Sequence, residues 1–228
     1  MLYIVATPVG NLDDITTRAL KAFRTAEVIA CEDTRRTRML LSHFNIPRPE
    51  FFISYRQENE QKAGKRLMEF LKKGKTVALC SDGGYPGISD AGYRLIRAVV
   101  ENEIEFQVIP GACAVQIALL TSGLPSSSYT FKGFAPRKKS DLRRFFEKEK
   151  DMPHTMVVFE SPHRTLKTLE SALDVFGDRQ AAVCIELTKK FERVTRAFLS
   201  ELVAEFTGQK IKGEVTIVIA GNNRKFCR

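Results

Sequence analysis

The sequence has no tryptophan and only three histidines among its 228 residues. No histidine lies at metal-ligand spacing from another histidine or from a cysteine, which disfavours a zinc site. The five cysteines are widely spaced, odd in number and never paired as Cys-x-x-Cys. This cysteine usage argues against a disulfide framework and for a reducing, cytoplasmic setting.

Long apolar runs and nucleotide-binding fingerprints are also missing. No apolar segment approaches the roughly 20 residues that span a bilayer, and the N-terminus lacks the basic region and cleavage site of a secretory signal. Neither Gly-x-Gly-x-x-Gly nor the phosphate loop Gly-x-x-x-x-Gly-Lys-Ser/Thr occurs. Their absence disfavours a nucleotide pyrophosphate site, and we expect no membrane span and no metal.

Positive charge and apolar content are present. Hydrophobic residues make up 43% of the chain, enough for the core of one large or two small domains. The formal net charge of +9 favours an anionic partner. Nucleic acid fits this charge better than an anionic metabolite, and a membrane surface is the competing explanation.

The first half of the chain alternates apolar strands with helical segments. We predict strands at residues 2–7, 28–31, 51–54, 76–80 and 106–109, and helices at 15–25, 34–44, 61–73, 91–100 and 114–122. Asp14 is the expected N-cap of the first helix. This alternation predicts a mainly parallel sheet covered by helices on both faces.

The second half is less regular. A polar, turn-prone stretch at 123–128 predicts a boundary between an N-terminal α/β domain, 1–122, and a C-terminal α/β domain with a mixed sheet, 123–228. We predict strands at 129–133, 155–159, 181–187 and 215–220, and helices at 141–150, 165–176 and 199–207. Residues 222–228 are expected to form a loose basic tail.

Three loops of small or turn-forming residues follow the first, fourth and fifth predicted strands, at 7–14, 81–92 and 110–114. Ligands of open α/β sheets bind at the carboxyl edge of the strands. Asp82 at the end of a strand, in a glycine-rich loop, therefore predicts a small-molecule site. The alternative is that 81–92 is a tight surface connection in which Asp90 caps the next helix.

Short motifs occur in order along nearly the whole chain: Thr7-Pro-Val-Gly-Asn-Leu-x-Asp-Ile-Thr16, Glu32-Asp-Thr-Arg35, Ser81-Asp-x-Gly-x-Pro-x-Ile-Ser-Asp-x-Gly92, Pro110-Gly111, Glu160-Ser-Pro-His-Arg164 and Glu186-Leu-Thr-Lys189. Together they resemble the tetrapyrrole methylase superfamily, and within it the ribosomal RNA small subunit methyltransferase I branch. The resemblance implies an S-adenosylmethionine-dependent enzyme that methylates the ribose 2′-hydroxyl of a cytidine in small-subunit (16S) ribosomal RNA. It also implies a homodimer whose two α/β domains hold the cofactor in a cleft between them.

The resemblance and the three loops together indicate which residues contact the cofactor. Asp82 is placed to orient it, since a carboxylate offsets the positive charge of a sulfonium. The predicted contacts are Pro8, Val9, Gly10, Asp82, Gly84, Tyr85, Ile88, Cys113, Ala114, Phe159, Leu187 and Gly213. The chain departs from residues usual in the branch at Gly83, Tyr85, Ala91, Cys113 and Ile185.

Methylation of a ribose hydroxyl needs a group that accepts its proton, usually a carboxylate or a neutral histidine. Glu160, Glu32 and His163 are the predicted catalytic residues, with Asp33 and Glu186 as further candidates near strand ends. The alternative for Glu160 and Glu186 is a structural one. In that interpretation they are buried ion-pair partners of Arg164 and Lys189 that hold loops in place.

Clusters of basic residues are expected to contact RNA phosphates, which position a substrate without reading its sequence. They comprise Arg35 and Arg36 with Arg38, then Arg137, Lys138 and Lys139 with Arg143 and Arg144, and finally Lys189 with Lys190. Phe131, Phe134 and Tyr129 precede the second cluster and would suit stacking on an unpaired base. Residues such as Phe131 and Phe134 are, however, more often core residues of a short strand.

Two other functions fit the same motifs. The chain could methylate a carbon of a precorrin-like tetrapyrrole, since such a macrocycle carries many carboxylates and suits a basic protein. It could also be an RNA-binding protein whose cofactor site has degenerated, with Gly83, Tyr85 and Cys113 as the signs of decay.

Overall fold

A wholly parallel five-stranded sheet organises the first half of the chain. Its strands are β1 (Leu2–Val5), β2 (Val28–Cys31), β3 (Phe51–Ser54), β4 (Val77–Cys80) and β5 (Phe106–Ile109), in the order β3-β2-β4-β1-β5. Every residue of β2 and β4 is buried, as expected for central strands covered on both faces. The computed structural model describes residues 1–228, and the sheet belongs to the first of two compact units, Met1–Cys113 and Ala114–Arg228.

Four helices cover this sheet, two on each face. Helices α1 (Thr17–Thr25) and α2 (Thr34–His43) share one apolar core with the sheet, and α3 (Glu60–Lys72) and α4 (Tyr93–Glu101) share another. The predicted cap of α1 is wrong. Thr16 caps the helix, its Oγ1 accepting from the Ala19 amide at 3.1 Å, because Asp14 is held in a preceding 3₁₀ turn, Leu12–Asp14.

The second unit contains the predicted mixed sheet. Its strands are β6 (Tyr129–Phe134), β7 (Thr155–Glu160), β8 (Gln180–Ile185), β9 (Arg193–Phe198) and β10 (Val215–Ile219), in the order β6-β7-β10-β8-β9. Strands β6 and β7 run parallel, and the other neighbours are antiparallel. The fold class predicted from the sequence is thus confirmed. The predicted strands do not include β9, because its polar residues hide the strand pattern.

Helices cover both faces of the second sheet. Helices α6 (Lys139–Glu147), α7 (Thr165–Phe176) and α8 (Leu199–Phe206) pack around one core that includes Phe146, Leu169 and Leu202. Helix α5 (Ala114–Ser122) contacts β10 and β8 and covers strand residues of the opposite parity, such as Val218. The division between the units therefore lies before α5, rather than after it at 122/123.

The C-terminal residues are attached to the second unit and are not the loose tail expected from the sequence. The backbone of Cys227 forms an isolated antiparallel β-bridge with that of Arg179, and the Arg228 amide donates to the Asp178 carbonyl at 2.9 Å. The Arg228 guanidinium pairs with Glu201 at 2.9 Å and stacks on Phe198. Elsewhere in the fold, no helix combines the length and the apolar content needed to cross a membrane.

Candidate functional site

The carboxyl edge of the first sheet brings the three predicted loops into contact. Thr7 and Gly84 exchange two backbone hydrogen bonds, each 2.9 Å long, which join the loop after β1 to the loop after β4. The Gly111 amide donates to the Tyr85 hydroxyl at 3.1 Å, and Thr16 Oγ1 donates to the Pro110 carbonyl at 3.3 Å. The loops after β1, β4 and β5 therefore form one continuous surface within this unit.

Small residues let these backbones approach closely. Gly84 has φ +80°, a left-handed conformation that side chains disfavour, and a Cβ at Gly111 would lie only 3.0 Å from the Ala6 Cβ. Helix α4 begins at Tyr93, and its N-cap is Gly92 rather than the expected Asp90. The interpretation of 81–92 as a plain surface connection therefore loses its main support.

Acidic side chains gather where β2 and β4 end side by side. The Asp33 amide donates to Asp82 Oδ1 at 3.0 Å, and Arg36 pairs with Asp82 Oδ2 at 3.2 Å. Asp33 is the N-cap of α2 and pairs with Arg35 at 2.8 Å. The hydrogen bonds from Arg35 hold the pKa of Asp33 well below its ordinary value, so this carboxylate is a poor proton acceptor.

Glu32 differs from its neighbours. Its side chain is half-buried, and burial, reinforced by the negative charge of Asp82, raises the pKa of its carboxyl above the ordinary value. A carboxylate with a raised pKa is a stronger base than an ordinary one. Glu32 is therefore a better proton acceptor than Asp33.

The remaining predicted contacts in the first unit lie along the same loops. Pro8, Val9 and Gly10 continue from β1, and Gly83 packs on them, since its Cβ would lie 3.5 Å from the Pro8 carbonyl oxygen. Ile88 is exposed in the loop after β4, and Cys113 is half-buried after β5. Tyr85 acts as a brace between two loops, a role that nothing in the sequence signals.

Glu160, in the second unit, has every expected partner of a structural carboxylate. Its side chain is fully buried at the end of β7. Oε1 accepts from the Ser161 amide at 2.6 Å and pairs with Arg164 at 2.5 Å, while Oε2 accepts from Thr168 Oγ1 at 2.6 Å. This geometry favours the structural alternative for Glu160. His163, in the following turn, is exposed.

Glu186 is similarly engaged. The Lys189 ammonium and the Glu214 amide both reach Glu186 Oε1, at 2.8 Å each. Burial works against ionisation here, but these hydrogen bonds prevail and lower the pKa of Glu186. Gly213, a predicted cofactor contact, packs so closely that a Cβ there would collide with the Glu186 side chain. Leu187 is buried beside it, and Ala114 begins α5.

An aromatic cluster lies at the end of β6. A register shift between Phe131 and Phe134, where Gly133 has φ +65°, brings both rings against Phe159, with centroids at 4.8 and 5.6 Å. Such a bulge re-aims a side chain, since residues three apart otherwise point to opposite faces. Phe134 is 56% exposed and therefore is not a core residue, whereas Phe131 is half-buried.

The predicted RNA-binding cations differ in whether they already form ion pairs with acidic residues. Arg137, Lys138 and Lys139 are exposed and form no ion pair. Arg144 pairs with Asp141 at 3.2 Å, and Lys189 is held by two glutamates. Arg35 and Arg36 are exposed but paired with Asp33 and Asp82. Residues 137–139 are thus more available than the paired cations Arg35, Arg36, Arg144 and Lys189.

Comparison with known proteins identifies relatives along the whole chain. The model of the family described as Tetrapyrrole (Corrin/Porphyrin) Methylases matches residues 1–203. A "Ribosomal RNA small subunit methyltransferase I" from Halalkalibacterium halodurans is 44% identical over 224 residues, covering 98% of this chain and 77% of the relative. One from Thermotoga maritima is 42% identical over 220 residues, covering 96% of this chain and 98% of the relative.

Solved structures agree on the fold. Diphthine synthase superposes with a TM-score of 0.74 at 15% identity, covering 99% of this chain and 95% of that one. Uroporphyrin-III C-methyl transferase from Thermus thermophilus, crystallised with S-adenyl homocysteine, superposes with a TM-score of 0.65 at 19% identity, covering 95% and 96%. At these identities the likeness concerns the fold alone.

Proposed function

The chain belongs to the tetrapyrrole methylase family, in the ribosomal RNA small subunit methyltransferase I branch, and from this premise we propose that it methylates the ribose 2′-hydroxyl of a cytidine in small-subunit ribosomal RNA. The coarser activity follows from the branch itself: the chain is an S-adenosylmethionine-dependent ribosomal RNA methyltransferase. The nucleoside and the acceptor oxygen are the proposed part.

The observation that carries the proposal is the half-buried Glu32 at the carboxyl edge where three loops meet. The residues present fit the cofactor. A sulfonium is cationic, and Glu32 and Asp82 supply negative charge at this edge. The glycines of the loops carry no side chains that would fill the space beside them. S-adenosylmethionine, when bound, supplies the electrophilic methyl group. The contacts predicted in the second unit, Ala114, Phe159, Leu187 and Gly213, are part of the same proposal.

Glu32 is proposed to accept the proton of the ribose hydroxyl as the oxygen attacks. Its raised pKa matches this task better than the low pKa of Asp33. Asp82 holds the Asp33 amide and Arg36, so it fixes the ends of β2 and β4 around Glu32. Most of the remaining rate acceleration in a methyl displacement comes from holding donor and acceptor in line.

The parallel transfer of labelled methyl groups to three acceptors tests the activity. We expect transfer from S-adenosylmethionine to assembled small ribosomal subunits or their naked RNA, at a cytidine ribose, and none to a tetrapyrrole. Calorimetry with S-adenosylhomocysteine should report one cofactor site per chain. Methylation of a tetrapyrrole carbon, or cofactor binding without any transfer to RNA, would each contradict the proposal.

Arg137, Lys138 and Lys139 are proposed to bind RNA phosphates. Replacing all three by alanine should weaken RNA binding and flatten its dependence on salt, by about 0.7 in the log-log slope for every phosphate of a single strand that is no longer neutralised. The matched control is alanine at Arg94, Arg97 and Arg193, which all pair with glutamates. An unchanged salt slope in the first variant would assign residues 137–139 to a solvated surface.

A homodimer and a cytoplasmic location complete the proposal. Edge strand β5 leaves Phe106 and Val108 exposed, an apolar surface that a second copy could cover. The location rests on the five cysteines, all of which are free thiols.

A further inference from the structure

The turn between β8 and β9 is strained. Glu186 and Thr188 have φ +52° and +63°, in the left-handed region that residues other than glycine seldom occupy. Two such residues within one turn cost free energy, and they persist only where the surroundings hold them in place. Strain of this kind is concentrated at sites that bind or react.

Several polar contacts hold this turn. The Glu186 amide donates to the Glu214 carbonyl at 2.9 Å, and Lys189 pairs with both Glu186 and Glu214, at 2.8 and 3.1 Å. The Thr188 amide donates to the Glu192 carboxylate at 2.5 Å, and the Glu192 amide donates to the Lys189 carbonyl at 3.0 Å. The turn at 186–192 is thus closed at both ends and rigid.

The rigid turn presents an aromatic ring and a cation to solvent. Phe191 is 75% exposed, the largest exposed fraction among the large apolar side chains, so it contributes little to the core. The Lys190 ammonium lies 5.7 Å from its ring centroid and has no acidic partner. A single exposed apolar residue is ordinary on a protein surface, but here a strained and rigid backbone holds it outward.

The position of the turn links it to the proposed RNA-binding residues. Strands β6, β7 and β8 all end at the same edge of the second sheet, since β10 runs antiparallel to both β7 and β8. Phe134 is the last residue of β6, the cations at 137–139 follow that strand, and Phe191 follows β8. Three strand spacings of about 4.8 Å separate β6 from β8, or roughly 14 Å.

We propose that Phe191 stacks on an unpaired base of the RNA substrate and that Lys190 contacts a neighbouring phosphate. This inference rests on the proposed function and adds the way in which the substrate is held. Aromatic rings interleaved with cations are how proteins bind single-stranded nucleic acid, because every base has a face on which a ring can stack. The unpaired cations along this edge favour RNA over a protein partner.

The absence of tryptophan allows a direct test. Phe191→Trp introduces the only indole of the protein, and we expect its fluorescence to be quenched when single-stranded RNA from the substrate region is added. Val100→Trp is the matched control, since Val100 is also exposed but lies near the end of α4 in the first unit. Its fluorescence should not respond to RNA.

Affinity provides the second readout. Phe191→Leu, which keeps apolar bulk but has no ring face, should raise the Kd for single-stranded RNA about 5- to 100-fold. Phe191→Tyr should bind RNA like the unchanged protein, and neither variant should alter the affinity for S-adenosylhomocysteine. These variants separate the loss of the ring face from a loss of the fold.

The outcomes distinguish this inference from the proposed function. If the unchanged protein binds S-adenosylhomocysteine but no RNA, the proposed function fails and the inference with it. If RNA binds but Phe191→Leu binds equally well, or the indole of Phe191→Trp is not quenched, only the inference is overturned. Loss of binding to assembled subunits, with naked RNA unaffected, would place a ribosomal protein on Phe191 and overturn it too.

Discussion

Glu32→Gln is expected to lower the rate of methyl transfer to ribosomal RNA by about 100- to 10,000-fold, the usual contribution of a general base. The amide keeps the size of the side chain but cannot accept the proton of the ribose hydroxyl. Cofactor affinity, measured by calorimetry with S-adenosylhomocysteine, should change little, because Asp82 retains its contacts with Asp33 and Arg36.

The pH dependence of the reaction gives a second readout for Glu32. Burial and Asp82 raise the pKa of Glu32, so the rate should fall on acidification at a pH above the ordinary range for glutamate. The residual activity of Glu32→Gln should lack this acidic limb.

The raised pKa of Glu32 affects the stability of the fold in the opposite direction: acidification lowers the rate but favours the folded state. A raised carboxyl pKa favours folding below the unfolded pKa, and this advantage is lost as pH rises through the folded pKa, so Glu32→Gln should not destabilise the protein at pH 7.

His163→Ala and Glu160→Gln are the controls that decide between bases. His163 is exposed and Glu160 is saturated with hydrogen bonds, so neither variant should remove the acidic limb of the rate profile. If His163→Ala loses transfer while Glu32→Gln retains it, the proton acceptor belongs to the second unit and the assignment of Glu32 is wrong.

Local sequence patterns predict the positions of the strands better than they predict the contacts between loops. Strands β2, β3 and β5 lie at the predicted positions because short apolar runs between turn residues have few other interpretations. Strand β9 escapes prediction because its exposed arginines break the alternation of an edge strand. The order of strands and the packing of α5 on the second sheet depend on long-range contacts that no local pattern encodes.

The candidate site, like the fold, is only partly predictable from the sequence. Loops that follow parallel strands must meet at one edge, and the bridge between Thr7 and Gly84 fulfils that expectation. The pairing of Asp82 with Asp33 and Arg36 cannot be foreseen, since these residues are far apart along the chain. Phe191 carries no signal in the sequence, because the exposure of a single ring cannot be read from its neighbours.

The structural assignment of Glu160 leads to the largest expected change in stability. Glu160→Ala leaves the Arg164 guanidinium, the Thr168 hydroxyl and the Ser161 amide without their acceptor. Removing one partner of a buried ion pair costs about 3–5 kcal/mol, far more than an exposed pair contributes. We therefore expect the second unit of Glu160→Ala to unfold at a clearly lower midpoint concentration of denaturant, as measured by circular dichroism.

Glu147→Ala is the matched control, because Glu147 pairs with Arg143 at the same i,i+4 spacing but on the exposed face of α6. It should change the free energy of unfolding by roughly 0.5 kcal/mol or less. Glu160→Gln should lie between the two, since an amide can still accept from Thr168 or Ser161 but loses the charge that faces Arg164. If Glu160→Ala were as stable as the unchanged protein yet unable to transfer methyl groups, Glu160 would act on the substrate and the structural interpretation would be wrong.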